Sequence, residues 1–326
     1  MSVNNFDCGV CGQSTKKEIT KYNPSIWIEH SMFTGCEIEC CTECGMGLIS
    51  PAPNNDSLTT FYQEEYRHIS SPFYLDFGRK YRSFYRDHRS ISQLLLGLNY
   101  VDVKDGDGFL DIGPGPGASF REVVEIFGEK KMNLYAIELS NNASDYYNKF
   151  YGVKTFLNLD EVLDYTVKKP RLVLSSHSLE HFCLDEAKDF LRLLRSNVAE
   201  DGCCVFEVPH VDMRIHKDLR GGDDPHLMFF SRDALQKLFT NNGFEVLFIE
   251  TCGRLYSQPR LSSQNISFSS NILKSIRQMI VKFAKAIPML TTFFSGFARI
   301  RLKDDNFRYG GNRECLRLVV RPSHID

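Results

Sequence analysis

The sequence predicts an α/β protein: an open, mostly parallel sheet of about seven strands with helices between them, preceded by a small cysteine-clasped module. Three observations predict it. The apolar run FLDI (109–112) breaks abruptly into GPGPG (113–117), as a buried strand does when it turns sharply into a helix. Further short apolar runs recur downstream with helical patterns between them, the rhythm of βαβ units. Finally, C-x-x-C-G occurs twice ahead of that region, at Cys8–Gly12 and Cys41–Gly45. Two such pairs point to a metal clasp.

At 326 residues the chain is long enough to bury a full core. Its 42% hydrophobic and 25% charged content are those of an ordinary soluble globular protein. A net charge of -2 and a pI near 6.5 leave no electrostatic footprint for nucleic acid. The start, MSVNNFDCGVCG, has neither a basic n-region nor an apolar h-region, so no export signal is expected. The eleven cysteines therefore read as reduced thiols, and the cytosol is the expected compartment.

Cys8, Cys11, Cys41 and Cys44 are the predicted metal ligands, because thiolates two residues apart grip one face of a tetrahedral ion and a second pair closes it. Such a closed site holds structure and performs no chemistry. Trp27, Ile26, Ile28 and Phe33 between the pairs supply a small hairpin core, completed by structural zinc. Cys36 and Cys40 read as bystanders, with Cys40 a possible substitute for Cys41. Pro51 and Pro53 mark the exit of this knuckle, placing its boundary at residue 53. A helical lid and linker is expected over 54–100. Within it YQEEYRHISS (62–71) offers Tyr66 and His68 as lid residues. Phe73, Phe77, Tyr81, Phe84, His88, Ile91, Leu95 and Leu98 then trace the apolar face of one helix.

The glycine turn narrows the ligand. Gly113, Gly115 and Ala118 satisfy the dinucleotide pattern G-x-G-x-x-[G/A], so the glycines admit NAD. Pro114 and Pro116 have no N–H to offer a pyrophosphate, however, and the Asp111 carboxylate would repel it while attracting an ammonium. S-adenosylmethionine (SAM) fits better, with its ammonium, sulfonium and ribose and no phosphate. NLYAIELS (133–140) is a second strand whose terminal Glu138, next to Leu139, is placed to accept from ribose hydroxyls. Gly113, Gly115 and Gly117 let the ligand approach the backbone. Val153 to Leu157 is a short strand with Asp160 beyond it as an adenine-contacting acid, and RLVLSS (171–176) ends the next strand at Ser176. A helix over 185–198, the strand CCVFEVP, a helix capped by Ser231, FEVLFIET (244–251) and CLRLVVR (315–321) complete the sheet.

Histidines gather at the loops after strands. SSHSLEHF brings His177 and His181, EVPH brings Glu207 and His210, and GGDDPHLMFFS brings Asp223, Asp224 and His226. An imidazole is the natural base for an acceptor that must lose a proton as an electrophilic methyl arrives.

The acid two positions before Gly113 and the acid after the next strand resemble the motif of class I SAM-dependent methyltransferases, which implies a Rossmann-like seven-stranded sheet. The wider set is C-x-x-C-G twice, D-x-G-x-G-x-G, S-x-H-x-L-E-H, E-x-P and H-x-x-F-F-S, running from Cys8 to Thr251. It is similar to the zinc-binding sugar methyltransferases, including deoxysugar C-methyltransferases that act on nucleotide-linked keto sugars. That resemblance implies that a lid tyrosine, here Tyr66, and His181 and His226 line the sugar site. The chain departs from the family in having Asp224-Pro225-His226 where Tyr-Glu-His is usual and His177 where Asn is usual. The long C-terminal domain of the C-methyltransferases is not expected here either. These departures favour O- or N-methylation over enolising C-methylation.

The expected function is therefore methyl transfer from SAM to a saccharide-type small molecule in glycan or natural-product biosynthesis. The competing readings are an NAD-dependent sugar oxidoreductase, a zinc-bearing RNA methyltransferase and a non-catalytic zinc interaction module. The absence of an N-P-P-[FYW] tetrapeptide after the fourth strand weighs against attack by a base amino group. A helical insertion over 258–309 carries Ile272, Ile276, Met279, Ile280 and Phe283 among Lys274, Arg277, Lys282 and Lys285. It packs on the core or a subunit, or lies on a membrane surface through 272–300.

Overall fold

The computed structural model describes residues 5–22, 31–62, 88–115, 117–128, 132–215, 226–255 and 308–323. The chain begins with strands β1 (Asn5–Asp7), β2 (Ser14–Lys21), β3 (Glu37–Cys41) and β4 (Gly47–Ser50), followed by the short helix α1 (Asn55–Thr60). The body then alternates α2 (His88–Leu98), β5 (Asp107–Ile112), α3 (Ala118–Phe127), β6 (Met132–Ile137), α4 (Asn141–Tyr151) and β7 (Lys154–Phe156). Next come α5 (Leu159–Tyr165), β8 (Pro170–Ser176), α6 (Leu184–Asn197) and β9 (Cys203–Pro209). Last are β10 (Met228–Phe229), α7 (Arg232–Asn241), β11 (Phe244–Leu255) and β12 (Arg313–Pro322).

Seven strands form the main sheet in the order β11-β12-β9-β8-β5-β6-β7. The pairs from β9 through β8, β5 and β6 to β7 are parallel, while β12 runs antiparallel to both β9 and β11. This is the predicted Rossmann-like architecture. β5 and β9 are buried along nearly their whole length, as the apolar runs of a sheet covered on both faces require. The chain leaves β5 toward β6 and β7 and returns to β8 on the other side, so the order reverses between β5 and β8. Ligands of open parallel sheets bind at such a reversal, outside the carboxyl ends of the strands.

The cysteine module is not a separate bead. Its four strands extend into a five-stranded sheet by antiparallel pairing of β4 with β10, Met228 opposite Leu48 and Phe229 opposite Gly47. The boundary expected at residue 53 therefore crosses a sheet that a later segment completes. Arg214 adds a clamp, donating to Glu43 O at 3.0 Å while pairing with Asp212 and Asp233. Ser231 Oγ, the N-cap of α7, also donates to Cys44 O.

Helix α2 corrects the predicted apolar face. Leu95, expected inward, is 51% exposed, whereas Ser90, Gln93, Leu94 and Gly97 are buried. The inward stripe uses small and polar residues because the helix lies close to the sheet: a Cβ on Gly97 would sit 2.8 Å from Leu172 Cδ1 and 2.9 Å from Val205 Cγ2. Alanine would gain about 1 kcal/mol of helix propensity there but incur about 1–3 kcal/mol of overpacking. Gly97→Ala is therefore expected to lower stability by about 1 kcal/mol in urea unfolding, a sign opposite to that of an exposed helical glycine.

No helix among the described residues is long and apolar enough to cross a membrane. The insertion over 258–309 falls almost entirely outside the described residues, as do 73–87 of the predicted helix, Trp27, Ile26 and Ile28.

Candidate active site

At the reversal of strand order the chain encloses a cavity of about 590 Å³. One part of its wall is the turn after β5. Asp111 is 2% exposed, and Gly113 and Gly115 take positive φ of 67° and 55°. Ser178 packs on Gly113, its Oγ donating to Ile112 O at 2.9 Å and leaving no room for a Cβ. Gly115 faces open space, so a ligand can approach its backbone there. Gly117 differs. A Cβ on it would strike the Tyr147 ring at 2.7 Å, and it does not line the cavity, so packing and a φ of 70° explain this glycine.

Asp111 accepts a hydrogen bond from Ser119 Oγ across the first turn of α3. Burial dominates all the same and pushes its carboxyl up to about 7. A carboxylate so buried is suited to a cationic ligand. Glu138, 4% exposed at the end of β6, accepts from Ser140 N at 2.9 Å and lines the cavity with Leu139. Ser176 lines it as well and accepts from Gln93 Nε2 at 2.9 Å. Asp160 lies exposed in the first turn of α5 and is not part of the wall.

The rest of the wall is polar and comes from several elements. A 3-10 turn, Leu179–His181, places Glu180 and His181, and the backbone before β10 places His226. Leu227 N donates to Glu180 O at 2.8 Å, locking those two segments together. The His181 and His226 rings lie 5.0 Å apart, and Tyr62 OH is 2.9 Å from His181 Nδ1. Glu180 is fully buried beneath them, with His177 Nδ1 at 3.3 Å and His226 Nε2 at 3.9 Å from its Oε1. Burial opposes its ionisation, but the His177 contact and the His181 and His226 charges overcome this and bring the carboxyl down to about 2.

His177 takes a positive φ of 55°, a conformation costly for a residue with a Cβ and typical of functional turns. It bridges Glu180 to Glu207, whose Oε1 is 3.3 Å from His177 Nε2. Burial disfavours its charged form, yet Cys315, Glu180 and Glu207 around it hold the imidazole well above its usual value. Behind it, Arg317 on β12 is fully buried. Its Nε donates to Glu207 Oε2 at 2.7 Å, and its Nη1 donates to Ser92 Oγ and Tyr309 OH, both at 2.9 Å. Arg89 Nε approaches the other Glu207 oxygen at 3.2 Å from the cavity wall.

Asp111, Gly113, Gly115, Glu138, Leu139, Ser176, His177, His181 and His226 thus converge on one cavity. His210 does not join them, since its Nδ1 is engaged with Arg313 O at 2.9 Å. Tyr66, His68, Pro116, Asp223 and Asp224 lie outside the described residues. Sequence reasoning missed Tyr62, Gln93, Glu180 and Arg317. Two of these carried a signal: Glu180 stands beside His181 in LEH, and Arg317 interrupts an apolar strand, where a charge needs a partner.

Away from the cavity, Cys8, Cys11, Cys41 and Cys44 bring their sulfurs into one cluster. Cys8 and Cys44 sulfurs are 3.7 Å apart, as are those of Cys11 and Cys41. A tetrahedral ion with bonds of about 2.3 Å would impose about 3.8 Å, which these two pairs already match. Gly12 and Gly45 turn each loop at positive φ of 69° and 74°. Strand alternation resolves the choice between Cys40 and Cys41: Cys40 points to the other side of β3, with its sulfur 3.6 Å from Ile38 O.

A family model described as a methyltransferase domain matches residues 81–248. No curated protein matches the sequence. Solved structures of similar fold include coclaurine N-methyltransferase bound to N-methylheliamine and SAH, at 14% identity and a TM-score of 0.46, covering 82% of this chain and 85% of that one. A Mycobacterium tuberculosis cyclopropane synthase, MmaA2, has 14% identity and a TM-score of 0.47 over 83% and 99% of the two chains. Phosphoethanolamine N-methyltransferase 2 of Haemonchus contortus, in complex with S-adenosyl-L-methionine, has 14% identity and a TM-score of 0.49, covering 85% and 63%. The family match sets aside the oxidoreductase and non-catalytic readings: the chain belongs to the methyltransferase-domain family and is a SAM-dependent methyltransferase.

Proposed function

We propose that this enzyme methylates a saccharide-type acceptor, a sugar or nucleotide-linked sugar, on oxygen or nitrogen. The observation that carries this reading is the polar wall of the cavity, where Asn55, Thr59, Tyr62, His181 and His226 gather. Hydroxyl, amide and imidazole groups both donate and accept, as the hydroxyls of a sugar require of their partners.

SAM, when bound, supplies an electrophilic methyl group. Asp111 would take its ammonium, Glu138 its ribose hydroxyls, and the open backbone at Gly115 would allow its close approach. The remaining residues orient and activate the acceptor. When His181 donates Nδ1–H to the Tyr62 oxygen, Nε2 is the accepting nitrogen of that tautomer and is suited to an acceptor hydroxyl proton. His226 is held beside the Glu180 carboxylate, with Nε2 3.9 Å from its Oε1. In-line approach to the methyl carbon makes positioning a large part of the rate. His181→Ala and His226→Ala are each expected to lower turnover by about 100-fold or more with SAM affinity unchanged. Full turnover in both variants would remove the role.

The four-cysteine cluster is proposed to hold structural zinc. Its loops are joined to the body through β4, β10 and the Arg214 clamp, so the ion would brace the segment that carries His226. Cobalt-loaded protein is expected to show an intense thiolate charge-transfer band that Cys44→Ser weakens or abolishes.

A further inference from the structure

We infer that Glu180, His181 and His226 form a second metal site, distinct from the four cysteines, which takes a first-row divalent cation at the floor of the cavity. A buried carboxylate needs partners for its charge. Glu180 is fully buried, and among the described residues its Oε1 faces imidazoles, His177 Nδ1 at 3.3 Å and His226 Nε2 at 3.9 Å. The nearest groups to it are imidazoles. One ligand atom from each of Glu180, His181 and His226 lies within 4.8 Å of the other two. Bonds of about 2.1 Å to a common ion would bring these atoms to about 3.0–3.4 Å, within about 2 Å of where they lie.

Two imidazoles and one carboxylate, with positions left open, are a ligand set for borderline cations such as iron, cobalt or zinc and less so for magnesium or calcium. The surroundings supply the support that ligating histidines need. Tyr62 OH is 2.9 Å from His181 Nδ1, an outer partner that fixes the ring and leaves its other nitrogen to face an ion. Glu180 and His181 share one 3-10 turn, and Leu227 N binds Glu180 O at 2.8 Å, so the residue next to His226 is tied to that turn. His181 and His226 both line the cavity, placing the open positions toward it. A cation there would occupy the His181 nitrogen otherwise suited to the acceptor proton, and would itself ease loss of that proton by taking two adjacent oxygens of an acceptor, a vicinal diol or a hydroxyl beside a carbonyl, and lowering the proton affinity of the oxygen to be methylated. This last step rests on the saccharide reading, whereas the metal site itself does not.

The test is a metal count on the full chain, stripped by chelation, reloaded with Co2+ or Zn2+ and dialysed, with no acceptor present. Two ions per chain are expected for the wild type and one for both Glu180→Gln and His226→Gln. The thiolate charge-transfer band of the cobalt protein should stay intact in both variants, which shows that the fold and the cysteine site survive. The substitution at His226, on the cavity wall, keeps the test valid where replacing the buried Glu180 prevents folding. A single ion in the wild type, or two retained in His226→Gln, overturns the site. A count that falls as expected while sugars fail as acceptors leaves the metal site standing and removes the saccharide reading.

Discussion

Glu207→Gln is expected to destabilise the folded chain by about 3–5 kcal/mol, at the upper end of what one substitution does. The substitution leaves volume almost unchanged, so packing is not the cause. Arg317 would lose its counter-charge while remaining fully buried, and Glu207 itself is only 1% exposed. Part of the wild-type balance comes from His177 and Arg89 at the other carboxylate oxygen. In the native fold burial opposes ionisation of Glu207, but the His177 bond and the Arg317 and Arg89 charges hold its carboxyl well below the usual value of 4.5. A depressed carboxyl contributes stability above its unfolded value and loses that contribution as pH falls through the folded one. The wild type should therefore lose stability in acid below about pH 4.5 more steeply than the variant, as urea midpoints at a series of pH values would show. Equal midpoints at neutral pH would mean that Arg317 finds another partner.

Asp111→Asn should weaken SAM binding by about 10- to 150-fold, the 1.5–3 kcal/mol of a hydrogen bond to a charged group. Asn keeps the shape and the Ser119 contact but cannot pair with an ammonium. Burial raises the free carboxyl to about 7, so its pairing with the cofactor requires a proton to leave near neutrality. The direction follows: SAM affinity is greatest above about pH 7 and falls toward tenfold per pH unit below it, with proton release on binding. The Asn variant should show neither the slope nor the release in calorimetry, and a slope that persists in it would place the titrating group elsewhere.

The sheet was largely legible because its strands are short apolar runs bounded by turn residues, and burial on both faces leaves few alternatives for segments such as FLDI or CCVFEVP. The cysteine cluster was legible from spacing alone. Helix α2 was not, since its inward face is Ser90, Gln93, Leu94 and Gly97, suited to close approach to β8 and β9 and to the Gln93 bond to Ser176. Apolar spacing alone points to Leu95, which is exposed. Asp160 follows a strand in the sequence, but it sits in the first turn of α5, facing solvent. The polar floor of the cavity was the least legible. Tyr62, Glu180, His226 and Arg317 come from four distant segments, and only the fold reveals that β10 ties the cysteine sheet to the segment holding His226.

Calorimetric titration of the full chain with SAM and, in parallel, with NAD at about pH 8, above the raised Asp111 carboxyl, tests the cofactor assignment most directly. One SAM per chain, no heat from NAD, and loss of most SAM affinity in Asp111→Asn are the expected results. Binding of NAD with none of SAM, or SAM affinity untouched by Asp111→Asn, would contradict the assignment.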